Sequence, residues 1–207
     1  MAQPQTTAAH QYNMNILAIQ GSPSKGGNCD ILLNSVLKGA MNAGGSPELI
    51  HLRDLTFQGC IACGGCDNTG ICVLKDDMTP LYDKILAAKL LIIASPIYFY
   101  GVTAITKAFI DRAQAPWNSK RLLTQKGEWK PDAERRGMFV SVAATKGARL
   151  FEGAILTVRY GLDAMGFTYD RDLLIRGIDK KGEMAEHEDI LKQAEEAGRA
   201  FIIGSPR

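Results

Sequence analysis

Residues 14–29 read Met-Asn-Ile-Leu-Ala-Ile-Gln-Gly-Ser-Pro-Ser-Lys-Gly-Gly-Asn-Cys, and their reading decides the fold. Residues 14–20 are a short, mostly apolar run, the pattern of a strand buried on both faces of a parallel sheet. Gly21 ends the run. From Asn28 onward, Leu33, Val36, Leu37 and Ala40 recur at helical spacing until Gly44-Gly45 stops them. A Gly/Ser loop therefore feeds a helix N-terminus, where unpaired N–H groups and the helix dipole favour an anion. Ser22, Ser24, Asn28 and the backbone at Cys29 are the candidate donors. The loop is not a Walker A motif, because Gly26 is followed by Gly27-Asn28, and it lacks G-x-G-x-x-G. Small neutral donors suit a terminal phosphomonoester better than a triphosphate with Mg²⁺. The bland alternative is an ordinary Gly/Ser turn. Its place after the first strand and directly before a helix favours the phosphate.

The same alternation continues outward. The spacing predicts a strand at 48–52, an irregular segment at 53–75, and a helix running to about 88 from an N-cap at Asp76-Asp77. Residues 90–95 (LLIIAS) form the most clearly buried strand, followed by a helix from about 101 to 115 that Pro116 ends. After a polar stretch at 117–136 come a strand at 137–144, a helix at 151–165, a strand at 167–176 and a last helix at 186–203. Five strands alternating with helices in one domain predict an α/β fold, a parallel sheet covered on both faces. Such sheets bind ligands at the carboxyl ends of their strands.

The chain has 207 residues, 46% apolar and 22% charged, enough for a normal single core. Lys and Arg total 24 against 22 Asp and Glu, so its charge gives no reason to expect nucleic acid or an anionic membrane. No apolar stretch approaches the ~20 residues of a spanning helix. Residues 1–13 hold neither Lys nor Arg nor an apolar core, so they read as a disordered leader rather than a secretory signal. A cytoplasmic, reducing setting follows, in which a disulfide framework is not expected.

The cysteines then need another explanation. Cys60, Cys63, Cys66 and Cys72 follow the pattern C-x₂-C-x₂-C-x₅-C within a loop at 59–75. Ferredoxin-type [4Fe–4S] sites open on the same triplet, whereas structural zinc more often uses two separated CxxC pairs. Zinc, or a motif retained without a metal, are the alternatives. Val73 after Cys72, where a bacterial ferredoxin has Pro, excludes the ferredoxin fold but not the cluster. Cys29 stands outside this set. The loop after the third strand, Pro96-Ile97-Tyr98-Phe99-Tyr100-Gly101, offers aromatic rings to a flat heterocycle; three consecutive aromatics cannot all face one core.

Gly21-Ser22-Pro23 with Gly26-Gly27-Asn28, then Ser95-Pro96-Ile97-Tyr98 and the segment Lys107 to Arg112, resemble the NADPH-dependent FMN reductase family of flavodoxin-like proteins. The cysteine spacing and the following Asp76-Asp77-Met78 resemble its iron–sulfur flavoprotein subgroup. This chain has Ser24 where members often carry Arg, and Cys29 where they carry Thr or Ser. The resemblance implies a three-layer, doubly wound five-stranded sheet in the order 2-1-3-4-5. It also implies FMN with its phosphate on Ser22, Ser24, Asn28 and Cys29, and its ring against Pro96 to Gly101 and near Thr145. Cys60, Cys63, Cys66 and Cys72 would hold a [4Fe–4S] cluster. NAD(P)H would be a transient electron donor, ferredoxin or a small-molecule acceptor the redox partner, and a homodimer or homotetramer the assembly.

No side chain need act as acid or base, so no catalytic residue is named. His10, His51 and His187 have no partner at ligand or triad spacing. The basic run Lys120, Arg121, Lys126, Lys130, Arg135, Arg136 reads as an exposed loop, or, flanked by Trp117 and Trp129, as a lid or subunit contact. Three functions compete: an electron-transferring iron–sulfur flavoprotein, a cluster-free NAD(P)H-dependent flavin or quinone reductase, and a non-enzymatic zinc-stapled binding protein.

Overall fold

The computed structural model describes residues 14–204; the expected leader and His10 lie outside them. Strands β1 (Met14–Gln20), β2 (Gly45–His51), β3 (Leu90–Ala94), β4 (Arg136–Ala143) and β5 (Thr168–Arg176) form one sheet in the order β2-β1-β3-β4-β5. All four pairings are parallel, as strands alternating with helices require. The helices are α1 (Asn28–Asn42), α2 (Thr79–Ala87), α3 (Ala104–Asp111), α4 (Gln114–Gln125), α5 (Glu152–Ala164) and α6 (Glu188–Ile203).

The central strands are mostly apolar because both faces are covered. Ile16, Ala18, Leu90, Ile92, Met138 and Val140 join one core beneath α1 and α6. Leu17, Ile19, Leu91, Ile93 and Phe139 join the other, beneath α2, α3 and α5. Alternation at period 2 sorts each strand between two cores, the signature of a three-layer sandwich. No helix among the described residues is long and apolar enough to cross a membrane.

Four expected boundaries move. Pro116 does not end a helix; it occupies the first turn of α4, where a missing N–H costs nothing. The break falls at Arg112 and Ala113, and residues 117–125, expected as loop, are helical. Asp76 and Asp77 do not cap α2 directly: Asp76 Oδ1 accepts from the Met78 N–H at 3.1 Å and Asp77 Oδ2 from the Thr56 N–H at 2.7 Å. They shape the turn that precedes the helix. β2 begins at Gly45, three residues before the apolar run, because its pairing with β1 is already in register there. α6 starts at Glu188, after a 3-10 turn over Glu183–Glu186. The basic run is no free lid either: Lys120 pairs with Asp163 of α5, and Arg121 donates to the Asp67 carbonyl at 2.5 Å.

Candidate flavin and cysteine sites

At the carboxyl edge of the sheet, a cavity of about 260 Å³ is lined by Ser22, Ser24, Gly27, Asn28 and Cys29 from the first loop, and by Pro96, Ile97 and Tyr98 from the loop after β3. Val142, Ala144, Ile178, Asp179 and Lys181 complete it. α1 begins here with Gly27 at its N-cap and no side chain capping it. Its first-turn N–H groups have no helical acceptor, so they are open to an anion. Ser22 is buried at the floor, its Oγ accepting from the Ser24 N–H at 3.2 Å, which leaves its own hydroxyl proton to donate.

Buried polar contacts hold the loop from behind. The Ser22 N–H donates to Gln20 Oε1 at 3.0 Å, and Gln20 Nε2 donates to the Cys29 carbonyl at 3.1 Å. Arg53 donates to both Asp30 carboxylate oxygens, at 3.0 and 2.9 Å, and to the Ser22 carbonyl at 3.1 Å. Asp30 in turn accepts from the Gly26 N–H at 2.8 Å. At Gly21 the backbone passes α3 so closely that a Cβ would lie 1.8 Å from Thr106 Oγ1, so a larger residue would force Thr106 to shift.

Beside the cavity, Tyr98 and Gly101 exchange both backbone hydrogen bonds, at 2.9 and 3.0 Å, and close a two-residue hairpin. Its central residues, Phe99 and Tyr100, have φ of 50° and 63°. Two left-handed residues in a two-residue loop are the type I′ geometry, which Gly and Asn adopt without strain and aromatic residues do not. Phe99 is fully exposed. The walls of the cavity include neither Phe99, Tyr100 and Gly101 nor Thr145, which is exposed; Ala144 takes the place expected for Thr145.

The cysteine loop surrounds a second cavity, also about 260 Å³, lined by Cys60, Cys63, Cys66, Cys72, Arg112 and Gln114 among others. No three His, Cys, Asp or Glu side chains among the described residues converge as metal ligands, so the thiols face one space without a finished coordination geometry. The surroundings nevertheless suit sulfur ligands. Asn118, buried in α4, donates to Cys66 Sγ at 3.2 Å, and the Ala62 N–H lies 3.4 Å from Cys60 Sγ. Arg112, 1% exposed, stands at the back wall. It donates to Gln58 O at 2.9 Å, to Asp76 at 2.6 and 3.1 Å and to Tyr82 Oη at 3.1 Å. Its guanidinium holds the Asp76 carboxyl below the usual carboxylate range. Cys29 belongs to the other site, where burial pushes its thiol up to about 12.

The sequence profile of the family described as NADPH-dependent FMN reductase matches residues 14–164, well over half of the chain. The chain belongs to the NADPH-dependent FMN reductase family. It is 36% identical over 100 residues to an iron-sulfur flavoprotein of Methanosarcina thermophila, covering 48% of this chain and 52% of that one. It is 39% identical over 99 residues to an iron-sulfur flavoprotein of Archaeoglobus fulgidus, covering 48% and 45%. The chain spans about half the length of the curated relatives it matches. An NAD(P)H:quinone oxidoreductase from Methanothermobacter marburgensis shares the fold with a TM-score of 0.68 at 16% identity, covering 94% of this chain and all of that one.

The flavodoxin-like strand order expected of this family is therefore the observed one. One expected phosphate ligand of this reductase-family chain is engaged elsewhere. Asn28 Nδ2 donates to the Lys180 carbonyl at 2.9 Å and Asn28 Oδ1 accepts from the Met184 N–H at 3.1 Å. Its side chain ties the first loop to the segment after β5. That segment contributes Ile178, Asp179 and Lys181, which sequence reading missed; the Lys180-Lys181 pair carried no motif and pointed to no loop.

Proposed function

We propose that this protein is an FMN-dependent oxidoreductase in which the cavity at the sheet edge takes the flavin, and that the cysteine loop holds a [4Fe–4S] cluster. The observation that carries the flavin reading is the convergence of the loops after β1, β3, β4 and β5 on one cavity at an uncapped helix start. The N–H groups at the start of α1, with the hydroxyls of Ser22 and Ser24, suit a phosphate. Pro96, Ile97 and Tyr98 offer a wall for the ring. Bound FMN would supply hydride acceptance and single-electron release. The protein's share is to bind, orient and shield.

For the cluster, the support is four thiols on one cavity with an amide donor on Cys66 and a buried guanidinium behind. A soft donor set of this kind suits iron–sulfur chemistry. The two cavities share no lining residue. NAD(P)H as a transient donor, ferredoxin or a small-molecule acceptor, a homodimer or homotetramer, and a cytoplasmic setting belong to the same reading.

Anaerobic purification followed by an absorption spectrum, with iron, sulfide and FMN assays on one sample, tests it. About four iron and four sulfide per FMN is the expected result, by analogy with Cys₄ clusters. FMN without iron after anaerobic reconstitution would leave the cluster-free reductase, and rapid bleaching by NADH or NADPH would identify it. Stoichiometric zinc with no yellow chromophore would sink both.

A further inference from the structure

The segment joining β5 to the 3-10 turn is constructed as a strap. Gly177 and Gly182, at φ of 78° and 85°, turn the chain at its two ends. Glu183 Oε2 accepts from the N–H groups of Asp179 and Lys180, at 2.9 and 2.8 Å, and folds it into a tight loop. Asn28, from the opposite wall of the cavity, grips it at the Lys180 carbonyl and the Met184 N–H. The 152-residue separation between Asn28 and Lys180 makes this a tertiary clamp, unlike a local turn. Among the described residues lining the cavity, Lys181 is the sole cation and Asp179 the sole anion; the first-loop residues in its wall bring only hydroxyls, amides and a thiol, and Lys25 of that loop is not in the wall.

We infer that this strap is a binding element of the flavin site, with Lys181 meeting the ligand's phosphate and Asn28 acting as the positioning residue that holds the strap over it. The inference rests on the flavin reading above. A phosphomonoester is close to doubly charged at neutral pH; the amides and hydroxyls of the first loop donate charge-assisted hydrogen bonds to it, and a lysine adds the positive charge they lack. Asp179 lines the same cavity, so removing the Lys181 cation leaves a carboxylate as the one charged group among the described lining residues. Riboflavin has the same ring and polyol but no phosphate, so it separates a phosphate contact from a general effect on the cavity.

Titration of the flavin-free protein with FMN and with riboflavin, followed by flavin fluorescence, is the test. Lys181→Met should weaken FMN binding about tenfold and leave riboflavin within about twofold, the scale of one exposed charge-assisted contact. Lys181→Arg should restore most of the loss. Asn28→Ala should weaken FMN and speed proteolytic cleavage within residues 177–182. FMN affinity unchanged in Lys181→Met, or FMN and riboflavin falling in parallel, would overturn the assignment of Lys181. If the parent protein binds neither flavin, the reading beneath it fails as well, a result the parent titration shows before any variant is made.

Discussion

Replacing Arg112 by Met should loosen the cysteine loop at its neck. The guanidinium holds Gln58 O and the Asp76 carboxylate, residues that precede and follow the cysteine loop, so one side chain closes the segment that carries all four thiols. Its side chain is 1% exposed and that of Asp76 is 16% exposed, so the pair is neither a surface bridge nor fully dry. Removing one partner of a buried pair costs about 3–5 kcal/mol. The partial exposure of Asp76 and its remaining bond from the Met78 N–H place this case near the lower end, about 3 kcal/mol. That corresponds to a fall of roughly 6–12 °C in Tm for a chain of this size. Urea melts of the parent, Arg112→Met, Asp76→Asn and the double variant give the coupling directly. It should be about 1–3 kcal/mol, with the double variant losing less than the sum of the singles. The pH dependence has a fixed sign. Because the Asp76 carboxyl is depressed in the folded state, the staple is intact above the ordinary carboxylate range and is lost as pH falls through that depressed value. A loss below about 1 kcal/mol in Arg112→Met, the scale of exposed ion pairs, would refute the reasoning.

Three further outcomes follow from the packing. Gly21→Ala should destabilise by about 1–3 kcal/mol, because its Cβ meets Thr106 Oγ1 at 1.8 Å, and Thr106→Ala should recover part of that in a thermal melt. Phe99→Asn should raise stability by roughly 0.5–1 kcal/mol by relieving a left-handed aromatic residue; a lower Tm would contradict the strain. In metal-free, reduced protein, iodoacetamide followed by mass spectrometry should label Cys60 and Cys63 first. Cys29, whose thiol burial holds at about 12, should stay unmodified until the chain unfolds.

The layers of this fold are legible in sequence because strands buried on both faces are mostly apolar, and 14–20, 90–94 and 136–143 are. The first loop is legible for the same reason: a strand ending in Gly21 and a helix starting at Asn28 fix its place. Pro116 misleads because proline ends a helix and also starts one, and the sequence does not separate the two readings. Pro116 has no N–H to pair with the Arg112 carbonyl four residues back, and the Arg112 side chain is held by partners 54 and 36 residues away, so the break falls at 112–113. Asn28 lines the cavity, but its side chain is committed to a strap that returns more than 150 residues later. Local spacing carries no trace of such a partner. The left-handed pair Phe99-Tyr100 is equally silent, since neither residue is one that normally marks a type I′ turn.

Helix α3 connects the two sites. Thr103, its N-cap, donates from Oγ1 to the Gly21 carbonyl at 2.7 Å, and its N–H donates to Ser95 Oγ at 3.1 Å, so the helix starts on the loops that bound the sheet-edge cavity. Arg112, its C-cap, lies in the wall of the cysteine cavity. Nine residues at 1.5 Å each put about 13 Å of rigid helix between the two anchors. The separation of the sites within one chain is thus set by helix length, and not by either loop. It follows that damage at one end should not spread to the other. In Arg112→Met the contacts of Thr103, Ser95 and Gly21 are all retained, so FMN affinity should stay within about twofold of the parent while the cysteine loop becomes protease-sensitive. Sites more than about 10 Å apart with no shared partners behave additively. Flavin affinity falling in step with the loss of loop protection would mean that α3 transmits the disturbance, and that the two cavities form one cooperative unit.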